Sequence, residues 1–319
     1  MAFPRSRFFR PAWPGAIRFP GCGLFLAALL FLAGSPGPAQ PALTQPIALK
    51  VGFSRTTFLD LNPKDLEASF KVLVQTLGRK RAYQLEVETR IFENSGDFEA
   101  ALKKDEIHVA IMGAWEYSGM DIRAAIEPKF VCMHNDQSLT ESLLLTRRDG
   151  GLDSLAALKG KEVILLESSV SLLTVPWVDV LLADARLGPA KTFFSRVEMV
   201  QKPTAAMLPV FFGKRQACAV DRRDYETLTE MNPQLRSALQ VIAASPPFLN
   251  IIVCLSRSTW ASGKVKSDMT EALRDLHLEP EGRQILLLFK ADQLTPYRES
   301  QMLAVRELRA RYQRPARKP

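Results

Sequence analysis

Hydroxyl-bearing and aromatic residues are concentrated in three short loops, each of which directly follows an apolar segment. The loops read SRTT at 54–57, GAWEY at 113–117 and ESSVS at 167–171. A serine-rich turn at the start of a helix presents hydroxyl groups together with free backbone N–H groups, and the helix dipole adds partial positive charge there. The third loop is therefore a candidate anion-binding turn. The alternative is that Ser168 or Ser169 only caps the helix.

Few residues suit catalysis or metal binding. The three histidines, His108, His134 and His277, have no second histidine or cysteine at metal-binding spacing, although His134 is a candidate for lining a cleft. The sequence lacks the nucleophile-elbow, Ser-x-x-Lys, P-loop and dinucleotide-binding glycine motifs. We therefore expect no catalytic residue, no metal and no cofactor, and we predict that the protein is not an enzyme.

The first 39 residues have the organisation of a secretory signal. Four arginines and no acidic residue precede the apolar run LFLAALLFLA at 24–33, and small residues and prolines follow it. Residues 1–39 are therefore predicted to be a cleavable signal peptide that directs the protein to the periplasm. An uncleaved anchor is the alternative, but the run is shorter than the roughly 20 residues that span a bilayer.

Charge and cysteine content exclude other classes of protein. The formal net charge is +8, and removing the four leader arginines leaves +4. We predict no nucleic-acid partner, because no basic stripe interleaved with aromatic residues is present. Cys132, Cys218 and Cys254 stand in apolar runs and are predicted to be buried thiols, and a Cys132–Cys254 disulfide is left open.

The elements that must position the loops alternate along the chain. The predicted strands are 47–53, 85–92, 108–112, 129–133, 142–146, 163–166, 197–200, 217–220, 239–242 and 249–255. The predicted helices are 63–78 with Asn62 as N-cap, one opening at Asp97, 155–158, 171–184, one from Thr204 as cap to Gly213, 264–276, 280–289 and 298–312. This alternation is typical of α/β sheets covered by helices, in two lobes with a cleft between them.

Several motifs occur in a fixed order along this framework. They are KVGF at 50–53, Leu77-Gly78, SGDF at 95–98, HVAIMGAWEY at 108–117, LKGK at 158–161 and SVSL at 169–172 with Pro176 after it. In this order and spacing, residues 47–297 closely resemble the phosphate/phosphonate-binding solute receptors of ABC importers, a branch of the type II periplasmic binding proteins.

The resemblance implies a two-lobed type II fold, each lobe a mostly parallel sheet flanked by helices, with the ligand cleft at the hinge. Lobe 1 would comprise 40–137 and 245–319, and lobe 2 would comprise 138–244. In the family, the serine-rich helix start and an aromatic residue hold the phosphonate group. Here these positions correspond to Ser169, Ser171 and Tyr117.

The sequence departs from the family at this turn. Val170 and Leu172 replace a threonine and a glycine, and Pro203 lies where a histidine is common. Arg55 and Lys202 are candidates to supply the missing donors. The predicted ligand-binding residues are Ser54, Thr56, Thr57, Trp115, Tyr117, Ser168, Ser169, Ser171, Lys202, Thr204 and Asp221.

The expected function is capture of a small anion, a phosphate- or phosphonate-like oxyanion, by hinge closure. The protein, expected to be a monomer, would deliver the anion to the membrane permease of an ABC importer. One alternative is a ligand-sensing receptor coupled to a membrane sensor kinase. A less favoured alternative is an exported enzyme.

Overall fold

The computed structural model describes residues 46–59, 62–168 and 171–314. All of them belong to one compact unit, 44–319. The predicted signal peptide, 1–39, lies outside the described residues. No helix in the described ranges is both long and apolar enough to span a membrane.

Thirteen strands occur in the described residues. They are β1 Ile47–Ser54, β2 Leu85–Phe92, β3 Val109–Gly113, β4 Ile126–Met133, β5 Leu139–Thr140, β6 Ser142–Arg147, β7 Glu162–Leu166, β8 Arg196–Val200, β9 Ala217–Asp221, β10 Leu239–Ala244, β11 Phe248–Leu249, β12 Ile251–Ser256 and β13 Gln293–Pro296.

Helices connect and cover these strands. The α-helices are α1 Pro63–Lys80, α2 Ser95–Lys103, α3 Ala114–Gly119, α4 Thr174–Asp184, α5 Ala190–Phe193, α6 Pro203–Phe211, α7 Arg222–Met231, α8 Pro233–Ala238, α9 Gly263–Arg274, α10 Pro280–Leu288 and α11 Leu303–Tyr312. Short 3₁₀ helices occupy Arg55–Phe58, Ala156–Leu158, Leu276–Leu278 and Glu299–Met302.

The strands form two mixed sheets. The first has the order β13-β4-β12-β3-β1-β2, and β1 to β4 run in the same direction while β12 and β13 oppose them. The second has the order β10-β6-β9-β7-β8, in which only β6 is reversed. The chain leaves the first sheet through β5 and returns through β11, and these two short strands pair antiparallel as a hinge. The predicted two-sheet α/β class is confirmed, while the lobe boundaries at 137/138 and 244/245 stay a prediction.

Three apolar cores hold these layers together. One core packs the first sheet against α1 and α10, and another packs the second sheet against α6 and α8. The third core contains residues of both sheets, such as Val131 and Leu165, and also Val305 and Leu308 of α11. The C-terminal helix therefore packs into the apolar cluster that joins the two sheets.

Several predicted helix boundaries are wrong for local reasons. Gly78 lies inside α1 rather than ending it, and its carbonyl accepts the N–H groups of Arg81 and Tyr83 beyond the helix. The cap of α2 is Asn94, whose side chain accepts the Asp97 N–H, so Asp97 does not open the helix. Similarly, α6 begins at Pro203, which places Thr204 within the helix rather than at its cap.

Four α-helices, α3, α5, α7 and α8, and two strands, β5 and β13, were not predicted. α7 and α8 follow β9, where the sequence is rich in charge and the apolar residues are sparse. The strand β13 adds to the edge of the first sheet through antiparallel pairing with β4. Its four residues include only one apolar side chain besides proline, which is too short a signal for periodicity to identify.

Candidate ligand-binding site

The first loop is held by its own hydroxyl groups. Ser54 caps the short helix after β1, and its Oγ lies 2.8 Å from Thr56 Oγ1. Thr57 is fully buried and donates from Oγ1 to the Ser54 carbonyl at 2.7 Å. Arg55, a candidate donor for the ligand, instead bonds the Phe58 carbonyl. Of the predicted residues here, Thr56 is the one whose side chain reaches out of the loop.

Glu116 joins the first loop to the second. Its Oε2 accepts from Thr56 Oγ1 at 2.9 Å and from the Gly113 N–H at 3.3 Å, and its Oε1 accepts from Ser95 Oγ at 3.3 Å. The prediction of site residues did not include Glu116. Its position three residues after Gly113 at a helix start is the signal that could have identified it. The arrangement places a carboxylate and a hydroxyl group side by side at the end of β3.

Trp115 faces the C-terminal helix. The Arg309 guanidinium lies 4.2 Å from the centre of the indole, and Tyr312 meets the same ring edge-on at 5.5 Å. Arg309 also donates from Nε to Ser118 Oγ at 2.6 Å, and burial lowers its pKa. The Trp115 ring therefore contacts residues of α11 rather than Thr56.

Tyr117 is buried in the core that joins the two sheets. Burial raises the pKa of its phenol, with a smaller contribution from Cys254 and an opposing one from Arg123. The phenol is thus protonated at neutral pH and can donate a hydrogen bond to a ligand oxygen.

The serine turn points its hydroxyl groups inward. Ser168 and Ser171 are both buried, and Ser168 Oγ donates to Ser171 Oγ at 3.2 Å. Ser171 Oγ in turn donates to Asp221 Oδ2 at 2.7 Å. Ser169, the third serine of the prediction, lies outside the described residues. The helix that follows begins at Thr174, three residues later than predicted.

An acidic pair, of which Asp221 is fully buried and Asp224 is half-buried, lies next to this turn. Asp221 has no exposed surface and caps α7 by accepting the Asp224 N–H at 2.9 Å. Burial, followed by the neighbouring Asp221, raises the pKa of Asp224 to about 7, against the opposing charges of Arg223 and Lys290. The structure thus brings Ser168, Ser171 and Asp221 together and places a proton-holding carboxyl group next to them.

The loops of the two sheets meet at Gly113. A Cβ atom added to Gly113 would lie 2.9 Å from Leu172 Cδ1 and 3.7 Å from Thr56 Oγ1. Leu172 therefore reaches from the serine turn to the end of β3. The loops after β1, β3 and β7 converge on one place between the two sheets.

Lys202 and Thr204 lie elsewhere, at the exposed start of α6. In the described part of the chain, no hydrogen bond links either side chain to the other candidate residues. These two are not brought into the cluster around Thr56, Ser171 and Asp221.

A small cavity of about 60 Å³ lies at the hinge. It is lined by Leu139 and Thr140 of β5 and by the charged residues Arg223 and Lys290. His134 also lines it, with Nδ1 3.1 Å from Asp292 Oδ1. The described residues contain no cluster of three His, Cys, Asp or Glu side chains that could hold a metal ion.

All three cysteines of the described residues are free thiols, so the Cys132–Cys254 disulfide left open by the sequence does not form. Burial raises the pKa of Cys132 to about 12 and raises the pKa of Cys218 and Cys254 as well. The prediction of buried thiols holds for Cys218 and Cys254, and Cys132 is partly exposed.

Comparison with solved structures shows the same fold in three proteins at low sequence identity. XAC2383 from Xanthomonas citri bound to ATP superposes with a TM-score of 0.61 at 14% identity, covering 83% of this chain and 97% of that one. PhnD1 from Prochlorococcus marinus in complex with methylphosphonate gives 0.57 at 16% identity, covering 82% and 97%. A binding protein component of an ABC phosphonate transporter from Pseudomonas aeruginosa gives 0.56 at 16% identity, covering 84% and 87%. These neighbours establish the fold alone.

A family assignment comes from the sequence itself. No curated protein matches the chain. The sequence model of the phosphonate ABC transporter periplasmic substrate-binding proteins matches residues 56–302, which include the loops after β3, β7 and β9 described above. The chain therefore belongs to the periplasmic substrate-binding proteins of ABC phosphonate transporters.

Proposed function

We propose that this protein captures a small oxyanion of the phosphate or phosphonate class between its two lobes and, as a monomer, delivers it to the permease of an ABC importer. The observation that carries the proposal is the meeting of loops from both sheets at Gly113 and Leu172. A ligand bound at this place would contact both lobes, so its binding free energy would favour the closed arrangement. The family match supports the transport role, and no observation favours coupling to a sensor kinase.

The chemistry of the site favours an oxyanion that carries a proton. Tyr117 offers a hydroxyl proton, whereas Glu116 and Thr56, whose own proton is donated to Glu116, offer oxygens that accept hydrogen bonds. A monoprotonated phosphate or phosphonate can donate its P–OH to a carboxylate, but sulfate at neutral pH has no proton to donate. A carboxylate without a donor would repel sulfate, so the site should discriminate strongly against it.

Isothermal titration of the protein with phosphate, phosphite, alkylphosphonates, sulfate and small carboxylates tests this proposal. Binding heat is expected with at least one phosphorus oxyanion and none with sulfate. Thr56→Val should weaken that binding by about tenfold, the effect of losing one hydrogen bond to a charged ligand.

Thr76→Val is the matched control. It removes a threonine hydroxyl that donates to the Val72 carbonyl and accepts from Arg79, both within α1, and should leave the affinity unchanged. No heat with any anion in the panel would contradict the proposal, as would sulfate binding as tightly as phosphate.

A further inference from the structure

A cavity of about 100 Å³ lies in the core of the first sheet, away from the loops between the sheets. It is a partly open cavity bounded by the sheet, where Val51 and Val109 line it, and by helices α1, α9 and α10. Its walls are almost entirely carbon, as the contributions of Leu77, Met269 and Leu286 illustrate. Protein interiors are normally packed without voids larger than a water molecule, so a cavity of this size is unusual.

Helix α9 forms one wall of the cavity, opposite the sheet. Its apolar residues Val265, Met269 and Leu273 are spaced four apart and therefore lie on one face, and all three line the cavity. None of the residues of α9 is buried. A helix that packs directly on a sheet buries its apolar side chains. Those of α9 are not buried, because they face the cavity instead of packing against the side chains of the sheet.

The polar groups of the cavity are gathered at its rim, between the end of α1 and α9. The Tyr83 hydroxyl donates to the Asp268 carboxylate, and Lys264 Nζ lies 2.5 Å from the same carboxylate oxygen. The charge of Arg81 also lowers the pKa of Asp268, after the larger effects of Lys264 and Tyr83. Because these groups satisfy one another, an occupant of the cavity would need no polar group of its own.

We propose that this cavity is a binding site for a small neutral apolar molecule, of the size of benzene or a short hydrocarbon chain. Apolar cavities exclude water, and one of about 150 Å³ takes up benzene or xenon. The site is independent of the proposed oxyanion site, since no residue is shared between them.

Thermal unfolding of the protein with increasing benzene tests the proposal. Saturating benzene should raise the unfolding midpoint by about 2–4 °C. Ala272→Leu, which adds three carbons to a residue lining the cavity, should raise the midpoint without ligand and abolish the benzene effect. Ser267→Leu adds a leucine to the exposed part of the same helix and should keep the full benzene effect.

Crystals of the unmodified protein under xenon pressure provide a second measurement, which does not depend on the variants folding. Xenon density between α9 and the sheet is expected. An unchanged unfolding midpoint in benzene, an equal benzene effect in Ala272→Leu, or an absence of xenon from this cavity would each overturn the proposal. None of these outcomes bears on the oxyanion titrations.

Discussion

At the scale of single residues, the site is distinguished by carboxyl groups placed beside hydroxyl groups. The Ser171 hydroxyl donates its hydrogen bond to Asp221, and the Thr56 hydroxyl donates its hydrogen bond to Glu116. Hydroxyl groups that donate to carboxylates have only their lone pairs left for a ligand. This is why the proposed ligand is an oxyanion that brings a proton, rather than a fully deprotonated one.

The raised pKa of Asp224 predicts a dependence of stability on pH. Its folded pKa of about 7 lies above its usual value of 3.8, so between these pH values the folded protein holds a proton that the unfolded chain has released. The resulting stabilisation is complete below pH 4 and is lost as the pH rises through 7. Relative to Asp224→Asn, the unfolding free energy of the unmodified protein should fall by on the order of 2 kcal/mol between pH 4 and pH 8.

Urea unfolding at a series of pH values measures this difference. Asp153→Asn, which changes an exposed aspartate in the same way, should follow the unmodified protein at every pH. If Asp224→Asn also follows it throughout, Asp224 does not hold its proton in the folded protein.

At the scale of elements, the end of β3 is shaped by the absence of a side chain at Gly113. Its backbone is ordinary, with φ −66°, so another residue would be excluded by contact rather than by conformation. The contact is with Leu172 of the serine turn, 2.9 Å from an added Cβ. The Leu172 side chain therefore packs directly against the backbone of Gly113.

Gly113→Ala should destabilise the protein by about 1–2 kcal/mol, because the added methyl group overpacks the contact with Leu172. In a Leu172→Ala background the same change should cost much less, which a double-mutant cycle by urea unfolding would show. Gly263→Ala, where an added Cβ meets no atom within 4 Å, is the control and should be close to neutral. Equal costs of Gly113→Ala in both backgrounds would show that the two loops do not touch.

The sequence predicts elements well where one local signal is strong. The alternation in β1 and β2 places both strands to within a residue, and the Asn62-Pro63 pair marks the start of α1. Helix α7 was missed because its sequence, RRDYETLTEM, has few apolar residues. Strand order was beyond the sequence, because β12 inserts between β3 and β4 from a segment more than one hundred residues away.

For the candidate site, the location of the loops was predictable from the sequence, but the contacts of their side chains were not. The three loops could be located because polar residues follow apolar strands, and the structure does bring loops after β1, β3 and β7 together. The partners of individual side chains were not predictable, since they depend on distant segments. Trp115 meets Arg309 across 194 positions of sequence, and Ser171 meets Asp221 across 50.

At the scale of the whole molecule, the family assignment makes the chain a periplasmic substrate-binding component of a transporter and not an enzyme. Helix α11 contributes to the joining of the two sheets in two ways. Leu308 is buried in the apolar core that includes residues of both sheets, and Arg311 forms an ion pair with Asp184 of α4. Both side chains of the ion pair are exposed to solvent by more than a third, which weakens its contribution.

Leu308→Ala should therefore cost about 2–4 kcal/mol of unfolding free energy, by loss of buried apolar surface and creation of a cavity. Arg311→Ala should cost less than about 1 kcal/mol. Urea unfolding of the two variants measures both values. A larger cost for Arg311→Ala would mean that α11 is held by charge rather than by apolar packing.

The central claim is that an oxyanion binds where the loops of the two sheets meet. A crystal structure of the protein grown with the tightest-binding phosphorus oxyanion tests it most directly. Density for the anion is predicted between Thr56 and the backbone of Gly113 on one side and the turn before α4 on the other. Density for the anion at a surface remote from these loops, with Leu172 still packed against Gly113, would contradict the claim.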